Sequence, residues 1–110
     1  MQERHKNRLV YFKELSITSK NYFIPYIQNW FPIEPGINVL EIGCGDGGNL
    51  LPFSEMGCNT IGVDIAASRI KDAQIFFKTA HAKGIFIAQD IFLLKELEQN
   101  FDIIICHDVL

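Results

Sequence analysis

The chain has 110 residues, the size of one compact domain and short for an enzyme that binds a large cofactor. Hydrophobic types make up 48% and charged types 21%, which excludes a disordered or fibrous chain. Ten Lys and Arg against thirteen Asp and Glu give a net charge of −3, which disfavours a nucleic-acid binder that works through bulk electrostatics and leaves only a local patch open.

Charge is unevenly placed. Residues 1–20 hold Arg4, Lys6, Arg8, Lys13 and Lys20, half of all the basic residues, and read as a polar helical arm. From Asn21 to Ser68 there is no Lys or Arg, while Glu34, Glu41, Asp46, Glu55 and Asp64 fall in that gap. Three cysteines, Cys44, Cys58 and Cys106, form no CxxC pair and no disulfide framework, so a reducing, cytoplasmic setting and no metal site are expected. The N-terminus lacks the apolar run of a signal peptide and no stretch is long enough to span a bilayer, so no membrane partner is expected.

Thr18 or Ser19 can cap a helix over residues 21–30, in which Tyr22, Tyr26 and Trp30, then Phe23 and Ile27, recur at i, i+4 spacing. The expected role of this aromatic stripe is core packing. Pro32 and the Pro35-Gly36 pair end the helix in a turn. Residues 37–42 (INVLEI) form an apolar strand that runs into the glycine-rich turn GCGDGG. A helix over 48–56, with Pro52 in its first turns, closes on Gly57. A second strand covers 59–63 and ends at Asp64. A helix over 67–82 with Ala67, Ile70, Ala73, Phe77 and Ala80 on one face closes on Gly84. A third strand covers 85–88, a short helix 93–98 and a fourth strand 101–106, with His107 and Asp108 at its end.

Near-continuous apolar strands alternating with helices define an α/β fold, a Rossmann-like parallel sheet with helices on both faces. Its four strands take the expected order 3-2-1-4. Ligands of such sheets bind beyond the carboxyl ends of the strands, where Glu41, Asp46, Asp64, Asp90, His107 and Asp108 all fall. Gly43, Gly45, Gly47 and Gly48 allow a ligand to approach bare backbone, and Asp64 is placed to accept from ribose hydroxyls. Gly43, Gly45 and Gly48 also satisfy GxGxxG, so a dinucleotide is formally allowed. Asp46 argues against it, because a carboxylate in the loop repels a pyrophosphate and favours a cationic ligand without phosphate. Each acid also has a plainer role: Glu41 can pin the loop, Asp46 can face solvent, and Asp64 and Asp90 can cap the segments that follow. Cys44 reads as a space-filler, since no histidine is paired with it.

VLEIGCGDG, GVDIAASRIKDA and FDIIICHDVL, in that order, resemble the first, second and fourth strand motifs of the class I S-adenosylmethionine-dependent methyltransferases. The resemblance covers residues 36–110. It implies S-adenosyl-L-methionine as cofactor, with Gly43, Gly45 and Gly47 around its methionine part, Cys44 and Asp46 also among the cofactor-binding residues, and Glu41 supporting the loop. It implies Asp64 on the ribose, Ile65 and Ile91 beside the adenine, Asp90 on the adenine amino group, and backbone at Cys106 and His107 near the methionyl amino group. Residues 1–35 then form a helical arm or lid, and residues 36–110 a cofactor-binding subdomain. Methyl transfer to an unidentified nucleophile is the expected activity, with His107 and Asp108 the only candidate bases. An NAD-dependent oxidoreductase and a non-catalytic scaffold of the same fold are the alternatives. The fourth strand is too apolar for a sheet edge, so further C-terminal strands, or a second copy paired at that edge, are expected.

Overall fold

The computed structural model describes residues 3–93 and 100–106. Four strands, β1 (Asn38–Ile42), β2 (Asn59–Asp64), β3 (Ile85–Ala88) and β4 (Ile103–Cys106), form one parallel sheet in the order β3-β2-β1-β4. That is the order expected from the sequence. In β1, Val39, Leu40 and Glu41 are all buried, as a strand covered on both faces requires.

Helices α3 (Leu51–Glu55) and α4 (Ala67–Thr79) make the crossovers between β1, β2 and β3. Helix α3 starts three residues later than residues 48–56 imply, because Pro52 has no N–H to donate and is tolerated only in the first turn, where it sits. Gly57 follows the C-cap Met56 at φ 89°, as expected of the residue that ends a helix. Helix α4 ends earlier than residue 82. Its stop is His81, at φ 55°, rather than Gly84. Gly84 answers to packing instead: a Cβ there would lie 2.8 Å from the Phe77 ring. The 3₁₀ turn Ile91–Leu93 follows β3, and the expected helix over 93–98 lies almost wholly outside the described residues.

The N-terminal arm is helical, but its break falls differently from the expected cap. Helix α1 (Glu3–Thr18) runs without interruption into a π-helical turn, Ser19–Phe23, and then α2 (Ile24–Gln28). Pro25 cannot supply the N–H of a regular helical bond, and Ile24 N–H reaches back to the Ser19 carbonyl, five residues away. Thr18 has helical dihedrals and neither it nor Ser19 caps. Ser19 is buried and donates its hydroxyl to the Asn49 carbonyl at 2.8 Å.

Tyr22, Tyr26 and Trp30 are not core residues. They are 70%, 67% and 79% exposed, while Ile24 on the opposite side of the helix is buried. The core that holds the arm is aromatic. Phe12 packs on Phe76 at 5.1 Å between ring centroids, and Phe77 meets Phe86 edge-on at 4.7 Å. These contacts tie α1 to α4 and β3, and so bring α1 over the carboxyl ends of the strands.

Candidate functional site

A cavity of about 480 Å³ opens at the carboxyl ends of β1, β2 and β3. Of the residues singled out in the sequence, Glu41, Gly43, Cys44, Gly45, Asp64, Ile65, Asp90 and Ile91 line it. Asp46 and Gly47 do not. His107 and Asp108 lie outside the described residues, and Cys106 is an exposed residue of β4.

The glycine loop is built by its own backbone bonds to β2. Gly43 N–H and Cys44 N–H both donate to the Val63 carbonyl, at 2.7 and 3.1 Å, and Gly45 N–H donates to Asp64 Oδ2 at 2.8 Å. Gly43 and Gly45 adopt φ 74° and 55°, the left-handed region where a side chain is strained. At Gly45 a Cβ would also lie 2.7 Å from the Arg69 guanidinium. The other Asp64 oxygen accepts from Ala66 N–H at 2.9 Å, ahead of α4. Asp64 therefore both pins the loop and turns the chain into the helix, while still lining the cavity.

Asp46 corrects the electrostatic reading of the loop. Its side chain is 0% exposed, and its Oδ1 is ion-paired with Arg69 Nε at 3.1 Å and Arg8 Nη1 at 3.5 Å. It neither faces solvent nor presents a negative charge to a ligand. The objection to a pyrophosphate drawn from Asp46 therefore falls, and Arg69, beyond the basic-free stretch, itself lines the cavity. Gly47 is a packing position. A Cβ there would lie 2.9 Å from the Phe86 ring.

Glu41 is 1% exposed at the end of β1. Its Oε2 accepts from Asn49 Nδ2 at 2.9 Å, whereas Oε1 is buried without a partner, and so is Asn49 Oδ1. Burial pushes the Glu41 carboxyl up to about 7, opposed by the Asn49 hydrogen bond and reinforced by the Asp64 charge. Glu41 and Asn49 both line the cavity, and their two orphaned acceptors call for hydrogen-bond donors, since a buried acceptor left unpaired costs about 1–3 kcal/mol. Cys44 matches the space-filling reading. Its Sγ occupies the place a Gly62 side chain would need, and burial with the nearby Glu41 and Asp64 carboxylates pushes its thiol far up, away from the reactive thiolate. Asp90 Oδ1 accepts from Phe92 N–H at 3.0 Å and so caps the turn beneath the cavity rim.

Nothing in the sequence pattern marks Tyr11, Leu15, Asn49 or Phe92 as cavity residues, yet all four line it. Tyr11 and Leu15 lie four residues apart on α1, a detectable common face, but nothing local says what that face meets. Gly48 lets them arrive: a Cβ there would lie 2.7 Å from both Leu15 Cβ and the Phe12 carbonyl. Gly48→Ala is expected to destabilise by roughly 1–3 kcal/mol, because a helix backbone rather than a flexible side-chain tip must give way. Chemical denaturation checks this, and a change under about 0.5 kcal/mol, the range of neutral surface changes, would show that α1 is not seated on the loop.

The parallel sheet, the glycine turn after β1 and the acid at the end of β2 define the class of nucleotide-binding α/β folds. Residues 33–110 match the family model described as a methyltransferase domain, and the chain belongs to that family. It is 34% identical over 74 residues to a ubiquinone biosynthesis O-methyltransferase of Nitrobacter winogradskyi, covering 67% of this chain and 28% of that protein. It is likewise 34% identical over 79 residues to the magnesium-protoporphyrin O-methyltransferase of a Synechocystis species, covering 69% of this chain and 33% of that protein. Among solved structures, PKMT2 from Rickettsia typhi in complex with AdoHcy superposes with a TM-score of 0.66 at 33% identity, over 83% of this chain and 20% of that one. The chain thus spans about a third or less of the length of these relatives.

Proposed function

We propose that this cavity binds S-adenosyl-L-methionine and that the protein transfers its methyl group to an acceptor. The observation that carries the reading is the pair of unpaired acceptors, Glu41 Oε1 and Asn49 Oδ1, buried on a cavity wall beside a glycine loop. An ammonium group with three donors is the complement of that wall. Asp64, at the rim of the same cavity, has lone pairs left for ribose hydroxyls after its two backbone bonds. Ile65 and Ile91 offer apolar flanks for a purine, and Asp90 an acceptor for its amino group. Gly43 and Gly45 let the ligand lie against backbone. The bound sulfonium supplies an electrophilic methyl carbon, and the chain's own part is to hold and align it. The methyltransferase family match is the ground for preferring this reading to the oxidoreductase alternative.

Calorimetric titration with S-adenosylhomocysteine and, separately, with NADH tests the proposal. Saturable binding of the first and none of the second is expected. Asp64→Ala is expected to weaken the first by roughly 10- to 100-fold, the cost of one or two hydrogen bonds to a charged acceptor. Binding of neither nucleotide, or unchanged affinity in the variant, would overturn the site.

A further inference from the structure

No helix among the described residues is long and apolar enough to cross a membrane, and the longest, α1, lays one side on the loop that follows β1. Arg8, Phe12, Leu15 and Ser19 recur at intervals of four, three and four residues, so a helical chain carries them on one face. All of them meet the short segment 46–49. Arg8 Nη1 is 3.5 Å from Asp46 Oδ1, the Phe12 carbonyl and Leu15 Cβ close on Gly48, and the Ser19 hydroxyl donates to the Asn49 carbonyl at 2.8 Å. Charge explains the first of these contacts and packing the second. The third leads to the chemistry of the cavity.

Ser19 has no exposure, so its hydroxyl must find a partner inside the protein. A buried position that needed only packing would be filled as well by alanine, without a hydroxyl to desolvate. The partner Ser19 takes is the main chain of a residue whose side chain lines the cavity. Asn49 lies in a turn between Gly48 and Leu50, the N-cap of α3, and so outside both β1 and α3. Its side-chain amide donates to Glu41 Oε2 at 2.9 Å. Glu41 Oε1 and Asn49 Oδ1 are the two buried acceptors left open on these same side chains. Two hydrogen bonds in series therefore join the arm to the acceptors that a ligand would meet.

We propose that Ser19 is a positioning residue of the cofactor site, holding the Asn49 main chain so that its amide stays on Glu41 and both open acceptors stay at the cavity. With that cavity read as the S-adenosyl-L-methionine site, on which this assignment rests, cofactor affinity depends on a residue that does not itself line the cavity. Loss of the Ser19 hydroxyl frees the Asn49 peptide to turn, and the amide leaves Glu41 with it. The Asn49 bond opposes the upward push of burial on the Glu41 carboxyl, so its loss lets that carboxyl rise further. Among the described residues, the other titratable groups on this cavity are Asp64 at the end of β2, Cys44 in the glycine loop, Tyr11 on α1, Arg69 on α4 and Asp90 after β3. They are the same in every variant below.

Two measurements on the whole protein test this. In the first, S-adenosylhomocysteine is titrated into wild type, Ser19→Ala, Asn49→Ala and the double variant. Ser19→Ala is expected to weaken binding roughly tenfold, about the worth of one hydrogen bond, and to add nothing once Asn49 is alanine. A serine that merely steadied the arm would weaken binding by the same factor in both backgrounds. That result overturns the proposal, as does unchanged affinity in Ser19→Ala. The second measurement needs no ligand. Stability falls with rising pH until Glu41 is ionised in the fold, near 7 in wild type, and this end point is expected to move upward in Ser19→Ala and Asn49→Ala alike. An end point unmoved in Ser19→Ala overturns the proposal. If wild type binds no S-adenosylhomocysteine, the cofactor reading fails, and the end point alone decides whether Ser19 positions Asn49. Ser19→Cys, of similar shape with a weaker donor, is expected to fall between serine and alanine, and carries both measurements should the alanine variant not fold.

Discussion

Replacing Arg69 by Met is expected to lower stability by roughly 3 kcal/mol, seen as a fall in Tm on the order of 10 °C. The cost does not lie in Arg69, which is a third exposed and can be solvated when unpaired. It lies in Asp46, whose side chain has no exposure and whose Oδ2 has no partner. With Arg69 gone, a fully buried carboxylate keeps, among the described residues, only Arg8, at 3.5 Å, as a countercharge. A buried charge stripped of its close partner is among the few single changes that cost this much. The same logic makes the double variant informative. Asp46→Asn in the Arg69→Met background removes the buried charge itself, so most of the lost stability returns. Thermal and urea melts of the four proteins of this cycle check the point. Additive losses in the double variant would mean that the two residues act independently and that the ion pair does not hold the loop.

That ion pair also shows where the sequence stops being legible. The central strands β1 and β2 could be read because they are buried on both faces, and the partly exposed β3 and β4 because they too are apolar runs closed by polar residues. Asp64 and the glycine turn could be read because their roles follow from the chain passing directly from strand to helix. Asp46 could not. Its partners come from α1 and α4, far away on either side, and no local pattern says that they converge. Charge counted along the chain suggested a loop without cations, whereas charge in space gives it two. The arm fails for a related reason. Four-residue spacing reveals that Tyr22, Tyr26 and Trp30 share a face, but not which face the core accepts. Phe12 and Ser19 settle that, by packing on α4 and bonding to Asn49, with the π-helical turn Ser19–Phe23 between α1 and α2. His81 makes the same point on a smaller scale. A left-handed helix end favours glycine by only about a kilocalorie per mole or two, so packing can place another residue there.

Glu41→Gln is expected to stabilise the ligand-free protein and to weaken its cofactor, both in a pH-dependent way. The carboxyl, ordinarily near 4.5, is raised to about 7 in the fold, mainly by burial. Between those two values the folded state holds a proton that the unfolded chain has released. Raising the pH across that window therefore costs stability, and the full cost is present above 7. The shift corresponds to roughly 3 kcal/mol at pH 8. Gln keeps an oxygen to accept from Asn49 Nδ2 and has no charge to desolvate, so the variant should gain about that much at pH 8 and little at pH 5. Ligand binding responds in the opposite sense. A cationic ligand against Glu41 favours the ionised carboxylate, so affinity for S-adenosylhomocysteine should rise about tenfold between pH 6 and pH 8 and level off above. In the variant that rise should vanish, with weaker binding at pH 8. Stability and affinity thus pull against each other at one atom. Melts at pH 5 and pH 8 and titrations at pH 6 and pH 8, on wild type and variant, separate the two effects. A variant no more stable than wild type at pH 8 would show that Glu41 carries no buried charge. A flat pH profile for wild-type binding would show that the ligand's cation lies elsewhere.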